Sequence, residues 1–334
     1  MQNIFVRLFI SFSILFIHKT YSQQPKTADS LMSIEAKDYF DTAFKLIKSS
    51  SYLKKKVDFD RIYTDALPYI KSAKNPIDTY DAIKFVLASL KDRHSVFISP
   101  KKNPQLKKKE QTKVFPLKGQ FFNGEYAVLQ LFSYSSTDLA HHKEIADSIY
   151  RFLLCVEKSG IKNLIIDLRN MEGGSNDPFL CGLGPLIDNN HLFTYVGNEN
   201  QKVKITFENG RLYRIWKKQK VGNIYLSNYS KDNDLASIAI SILLGPNTAS
   251  AGEIIAIPFK GLSNVRFVGA PTYGIPTGVA LLTLKDGAAI GIASSVPVDR
   301  DGKFYSSPLI PDIFIEMKGL SDKEVYQKIV SIEK

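Results

Sequence analysis

Asn163 to Arg169 read NLIIDLR, a short and continuous apolar run that ends in charge. A strand covered on both faces has this character, because neither face is left for polar alternation. Ile238 to Leu244, IAISILL, is a second run of the same kind. Ahead of NLIIDLR stands a strand-like YAVLQLFSY, Tyr126 to Tyr134. Between the two, Asp138 is placed to cap a helix that buries Ile145, Ile149, Phe152, Leu153 and Val156 and stops at Gly160. Strand, helix and strand in alternation predict an α/β core with parallel pairing.

Downstream of NLIIDLR a helix is expected, then a hairpin. Val203 to Trp216 alternate around Asn209-Gly210, the strongest short hairpin signal. Ala251 to Phe259 reads as a short helix. VRFVGA, GVALLTL and AIGIASSVPV read as strands, with turns at Asp286-Gly287 and Asp301-Gly302. Upstream, apolar residues recur at helical spacing: Phe40, Ala43, Phe44 and Ile47; Ile62, Ala66, Tyr69 and Ile70; Tyr80, Ile83, Val86, Leu87 and Leu90. Lys101 to Lys113 hold six lysines against one glutamate with no apolar period, the mark of a solvated linker. No internal repeat is evident.

The 334 residues are 44% hydrophobic and 23% charged, which excludes a disordered chain, a collagen-like repeat and a polytopic membrane protein. The first residues, MQNIFVRLFISFSILFIHKTYSQQ, place Arg7 before an apolar run from Leu8 to Ile17 and then a polar stretch. That run is too short for a membrane span and suits a secretory signal peptide, residues 1–22, cut before Gln23. The expected product is exported, periplasmic or secreted, with no stable membrane insertion, and remains basic. The net charge of +11 invites a nucleic-acid reading, most directly at Arg211 to Lys220 with Tyr213 and Trp216. An exported protein rarely meets nucleic acid, and a charged edge hairpin that resists aggregation accounts for the same residues. Cys155 and Cys181 are expected to be buried free thiols, too few for a disulfide scaffold.

Three places depart from plain packing. LKDRHS puts His94 at the end of a helix, DLRNMEGGS ends a buried strand in Gly173-Gly174, and GPNTASAGE runs from a buried strand through small residues to Ser250. Each has a plain explanation as a packed histidine, a turn and an N-cap. Together they hold more. A serine at a strand-to-helix junction exposes its hydroxyl, and the next N–H, that of Ala251, points where an oxyanion would form. Two glycines after a neighbouring strand can bring a second bare N–H to the same point, and histidine is the usual base near neutral pH. No phosphate loop is present, and His141-His142 point to different faces of a helix and read as solvated, so neither a cofactor nor a metal is expected.

His94 in LKDRHSVFISP, the glycines in IIDLRNMEGGS, Ser250 in NTASAGEIIA, Gly274 in GAPTYGIPTG and the closing IPDIFIE stand in the order of the tail-specific, or C-terminal processing, serine peptidases. The chain resembles that family from His94 to Ile315. The resemblance implies a crotonase-like or ClpP-like ββα spiral core over residues 114–334, preceded by a helical segment (23–98) and the lysine-rich linker (99–113). It implies peptide-bond cleavage of a protein or peptide substrate, with Ser250 as nucleophile, His94 as base, and N–H groups of Gly173, Gly174 and Ala251 as the oxyanion hole.

Departures from the family pattern narrow this. Between Phe97 and Tyr126 there is no room for the PDZ domain that many members carry. Ile275 stands where one branch has its lysine base, directly after Thr272-Tyr273-Gly274, which excludes a serine–lysine dyad there. The other branch, resembling the tricorn core protease, has a histidine in the position of His94 and a glutamate near positions 305–306, which here hold Tyr305 and Ser306. The acid orienting His94 is therefore expected from Asp299, at the end of a strand, ahead of Asp301 and Asp92. The alternatives are a catalytically inactive peptide- or small-molecule-binding module on the same fold, since relatives such as retinoid-binding modules exist, and a hydrolase of another acyl substrate.

Overall fold

The computed structural model describes residues 31–103, 115–187 and 189–332. The signal-peptide residues and most of the lysine-rich run lie outside them. Ser33 opens the first helix by accepting the Ala36 N–H, and α1 (Ile34–Ser50) buries Tyr39, Phe40, Ala43, Phe44 and Ile47. α2 (Phe59–Ala66), capped by Asp58, and α3 (Tyr80–Ser89) complete the helical segment. These helices do not close a core alone. Their cluster takes in Leu284, Ala288, Ile290 and Ile292 from near the other end of the chain, and Asp286 accepts hydrogen bonds from both Tyr39 and Tyr80. β1 (Val96–Ile98) pairs with residues 289–291, so the segment up to residue 98 is packed into the sheet.

The remaining elements are β2 (Leu117–Phe122), β3 (Tyr126–Leu131), α4 (Leu139–Lys158), β4 (Asn163–Asp167), α5 (Asp177–Leu183), β5 (His191–Gly197), β6 (Lys202–Glu208), β7 (Arg211–Trp216), β8 (Gln219–Tyr225), β9 (Ala239–Leu244), α6 (Ala251–Ala256), β10 (Val265–Gly269), β11 (Gly278–Thr283), β12 (Ala289–Val298), β13 (Ile313–Phe314) and α7 (Asp322–Ser331). They form two sheets. One has the order β13-β10-β9-β4-β3-β2 and is parallel except for β2. The other is antiparallel, in the order β1-β12-β5-β6-β7-β8, with β11 on the opposite edge of β12.

The continuous apolar runs are covered on both faces, as expected. Leu164 and Ile166 of β4 and Ile240 and Ile242 of β9 share a cluster with Ile145, Ile149 and Leu153 of α4. Ile165 and Leu243 turn the other way, onto Val325, Tyr326 and Ile329 of α7. α7 is also tied in by charge: Arg169 donates to Asp167 and to Asp322, and Tyr326 donates to Asp167.

Some expectations needed correction. β2, β5, β8, β13 and α7 had no advance reading. β8 is an edge strand with one fully buried residue, so it carries little apolar signal. Cys181 is buried but Cys155 is exposed, one position off the buried stripe of α4, and both thiols are free. Burial pushes the Cys181 thiol up to about 12. His142 is buried rather than solvated, with Nε2 2.8 Å from the Ser136 carbonyl oxygen.

Candidate active site

β9 ends at Leu244, and the chain must turn from a buried strand into α6 within a few residues. Thr248, fully buried, makes the turn rigid: its hydroxyl donates to the Leu168 carbonyl and accepts the Gly245 N–H. The Ala249 N–H donates to the Met171 carbonyl at 3.1 Å. The loop after β9 is thus laced to the loop after β4, and Ser250 arrives beside Gly173-Gly174.

Ser250 has φ +50° and ψ −108°. An ordinary N-cap residue is extended. A non-glycine residue in this region costs about 1–3 kcal/mol and persists only where its surroundings over-determine it. Glu253 does this. It is fully buried, and its carboxylate accepts the Ser250 N–H at 3.0 Å, the Ile275 N–H at 2.9 Å, the Gly274 N–H at 3.0 Å and the Thr272 hydroxyl at 2.5 Å. Burial pushes the carboxyl above its ordinary range, while these four donors pull the other way.

The two glycines have separate reasons. A Cβ on Gly174, at φ +109°, would sit 2.0 Å from the Tyr134 carbonyl oxygen, so only glycine fits. A Cβ on Gly173 would lie 3.8 Å from Ser250 Oγ and meet nothing closer than 3.5 Å. A side chain on Gly173 would therefore stand in ordinary van der Waals contact with Ser250. Ala251 is the first residue of α6, next to Ser250.

His94 comes from the loop that leads into β1 of the other sheet. Asp92 accepts the His94 N–H at 3.0 Å, the Ser95 N–H at 2.8 Å and the Ser95 hydroxyl at 2.6 Å, and the Ser95 hydroxyl accepts the Ala293 N–H of β12. The guanidinium of Arg93, a residue at φ +60°, lies over the Tyr273 ring at 4.6 Å. His94 Nδ1 is 2.7 Å from Thr277 Oγ1. Burial pushes the His94 ring below its ordinary 6.5, against an opposing pull from Asp92.

Ser250, Ala251, Gly174, Thr277 and Gly278 line one cleft of about 750 Å³. His94 reaches its wall through Thr277. Residues 272–277 form a strap to which both sides attach, Ser250 by way of Glu253 and His94 by way of Thr277. The structure does not bring Asp299 to His94. Asp299 instead accepts the Tyr305 hydroxyl at 2.6 Å and the N–H groups of Asp301 and Lys303, closing its own hairpin. The group on Nδ1 is a hydroxyl, and the expected carboxylate is displaced. Sequence reading missed Glu253 and Thr277. Ser250-x-x-Glu253 has the spacing of a capping box and could have flagged the first. Thr277 has no local signal.

The cleft wall thus holds a hydroxyl at a strained strand-to-helix turn with glycine backbone beside it, and a half-buried imidazole stands behind Thr277. Comparison makes this more specific. The sequence profile of peptidase family S41 matches residues 125–315, and the chain belongs to that family. It is 26% identical over 270 residues to the nisin-resistance protein of Lactococcus lactis subsp. lactis, covering 78% of this chain and 80% of that one. A lipoprotein from Streptococcus agalactiae shares the fold, with a TM-score of 0.69 at 21% identity, over 91% of this chain and 99% of that chain. The photosystem II D1 C-terminal processing protease does so with a TM-score of 0.57 at 12% identity, over 87% and 95%.

Proposed function

We propose that the protein is an exported serine endopeptidase. Ser250 attacks the peptide carbonyl, His94 takes the hydroxyl proton and returns it to the leaving amine, and N–H groups of Gly173, Gly174 and Ala251 hold the oxyanion. The observation that carries this is the backbone of Ser250, held at φ +50° by the buried Glu253 in the wall of a cleft. Such a conformation is retained at a cost, and here it sits in the lining of the cleft. The cleft suits an extended chain: β11 pairs with β12 on one side only among the described residues, and Gly278, Val279 and Ala280 line the cleft. A peptide can add to such an edge, its main chain supplying the hydrogen bonds. The two sheets and their crossing helices are read as the family's ClpP-like spiral core. The apolar run Leu8 to Ile17 supports export, as does the lipoprotein among the similar structures.

The test is labelling of the purified protein by a fluorophosphonate, the modified residue being mapped by mass spectrometry, alongside cleavage of a mixed peptide library. Label on Ser250 and loss of both label and cleavage in a folded Ser250→Ala variant are expected. Undiminished cleavage by that variant would end the proposal.

A further inference from the structure

We infer that Thr277, by its hydroxyl, is the positioning residue of His94, in place of a carboxylate. The inference rests on the reading of Ser250 and His94 as nucleophile and base. A base that takes the serine proton at Nε2 must carry its own proton on Nδ1, and something must accept that proton's hydrogen bond or the ring is free to turn. His94 Nδ1 is 2.7 Å from Thr277 Oγ1, and Thr277 is 5% exposed, so water does not compete for the position. The threonine is itself well placed. It follows the 272–275 turn that Glu253 grips and precedes β11, so the element that fixes Ser250 also fixes the partner of the base. The carboxylates are accounted for elsewhere. Asp92 is spent on the N–H groups of His94 and Ser95 and the Ser95 hydroxyl, Asp299 on its hairpin, and Glu253 on four donors.

In the reaction the Ser250 hydroxyl proton passes to Nε2, and the Nδ1 proton stays on the ring and donates to Thr277 Oγ1. No net charge faces the imidazolium from that side. The groups that act on the ring or stand near it are Asp92 and Arg93 on its own segment, Tyr52 near Asp92, and Glu253 behind the turn. Asp92 alone exerts a charge effect on the ring, and Arg93 is turned onto Tyr273. A hydroxyl partner orients without charge stabilisation, so the ring stays neutral, and able to accept a proton, to lower pH than a carboxylate-paired histidine would.

The experiment combines ring-nitrogen NMR of His94 with kinetics. In the unaltered protein, above the ring's pKa, Nδ1 should carry the proton and Nε2 should be bare; the opposite tautomer overturns the inference whether or not any variant folds. Thr277→Val should lower kcat about tenfold to a hundredfold with little change in KM, part of the roughly 10²–10⁴ that a positioned base supplies, and Thr277→Ser should restore it. Thr277→Asp should move the acid limb of kcat upward by about one pH unit or more, by placing a charge on Nδ1. Wild-type rate and pH profile in both Thr277→Val and Thr277→Asp, with His94→Ala inactive, would overturn the role of Thr277 alone. An active His94→Ala would overturn the reading beneath it.

Discussion

The surroundings of Ser250 and of His94 are built differently. The Ser250 side is local and closed: Glu253 is three residues away, Met171 and Leu168 come from the adjacent strand's loop, and Thr248, Ala251 and Glu253 are almost fully buried. The His94 side is long-range and half-exposed, its contact with the cleft running through Thr277, a partner 183 residues along the chain. Strain can be held where the packing is dense. Adjustment of a base's affinity for its proton belongs where burial is partial, since full burial pushes an imidazole far below its ordinary range. The strap at 272–277 joins the two.

If the Ser250 side is over-determined, breaking it should cost both folding and chemistry. The largest effect is expected from Gly174→Ala, whose methyl would meet the Tyr134 carbonyl at 2.0 Å with the backbone at φ +109°. About 3 kcal/mol or more should be lost, seen as a lower midpoint in thermal unfolding. Glu253→Gln should follow, because an amide nitrogen turns one acceptor into a donor facing donors, at about 1–3 kcal/mol for each group left unpaired. Its folded fraction should also label slowly, since Ser250 is released to relax. Smallest in stability is Gly173→Ala. Its φ of +158° is one that side chains rarely adopt, which costs some strain, but its new Cβ has only ordinary contacts, so the unfolding midpoint should fall less than in Gly174→Ala. Its turnover should still fall about tenfold, because the methyl lies against the Ser250 side chain where groups must be placed to within about 1 Å. Equal effects of Gly173→Ala and Gly174→Ala on stability would blur the distinction between a packing glycine and a site glycine.

The same contrast explains what could be read beforehand. The apolar runs at 163–168 and 238–244, the capped helix after Asp138 and the Asn209-Gly210 hairpin were legible because each is decided within a few residues. Ser250, His94 and the glycines stood out by residue type in a strand-to-helix context. Asp299 misled because proximity in sequence to a strand end says nothing of which hairpin its oxygens must close; its own N–H groups and Tyr305 claimed them. Thr277 was silent because a buried threonine before an edge strand looks like any other until the fold brings His94 to it. The edge strands β2 and β8 were silent because their apolar residues do not alternate cleanly with polar ones, β2 burying none fully and β8 only one.

The most direct test of the whole account is the rate of fluorophosphonate labelling at Ser250 as a function of pH, in the unaltered protein and in His94→Ala. A histidine must be neutral to take the serine proton, and burial holds the His94 ring below its ordinary 6.5. Labelling should therefore persist as pH falls to about 6.5, decline only below it, and slow by at least about two orders of magnitude without that limb in His94→Ala. A limb that survives unchanged in His94→Ala, or one that lies above about pH 9, where a lysine would titrate, would contradict the pairing of these two residues.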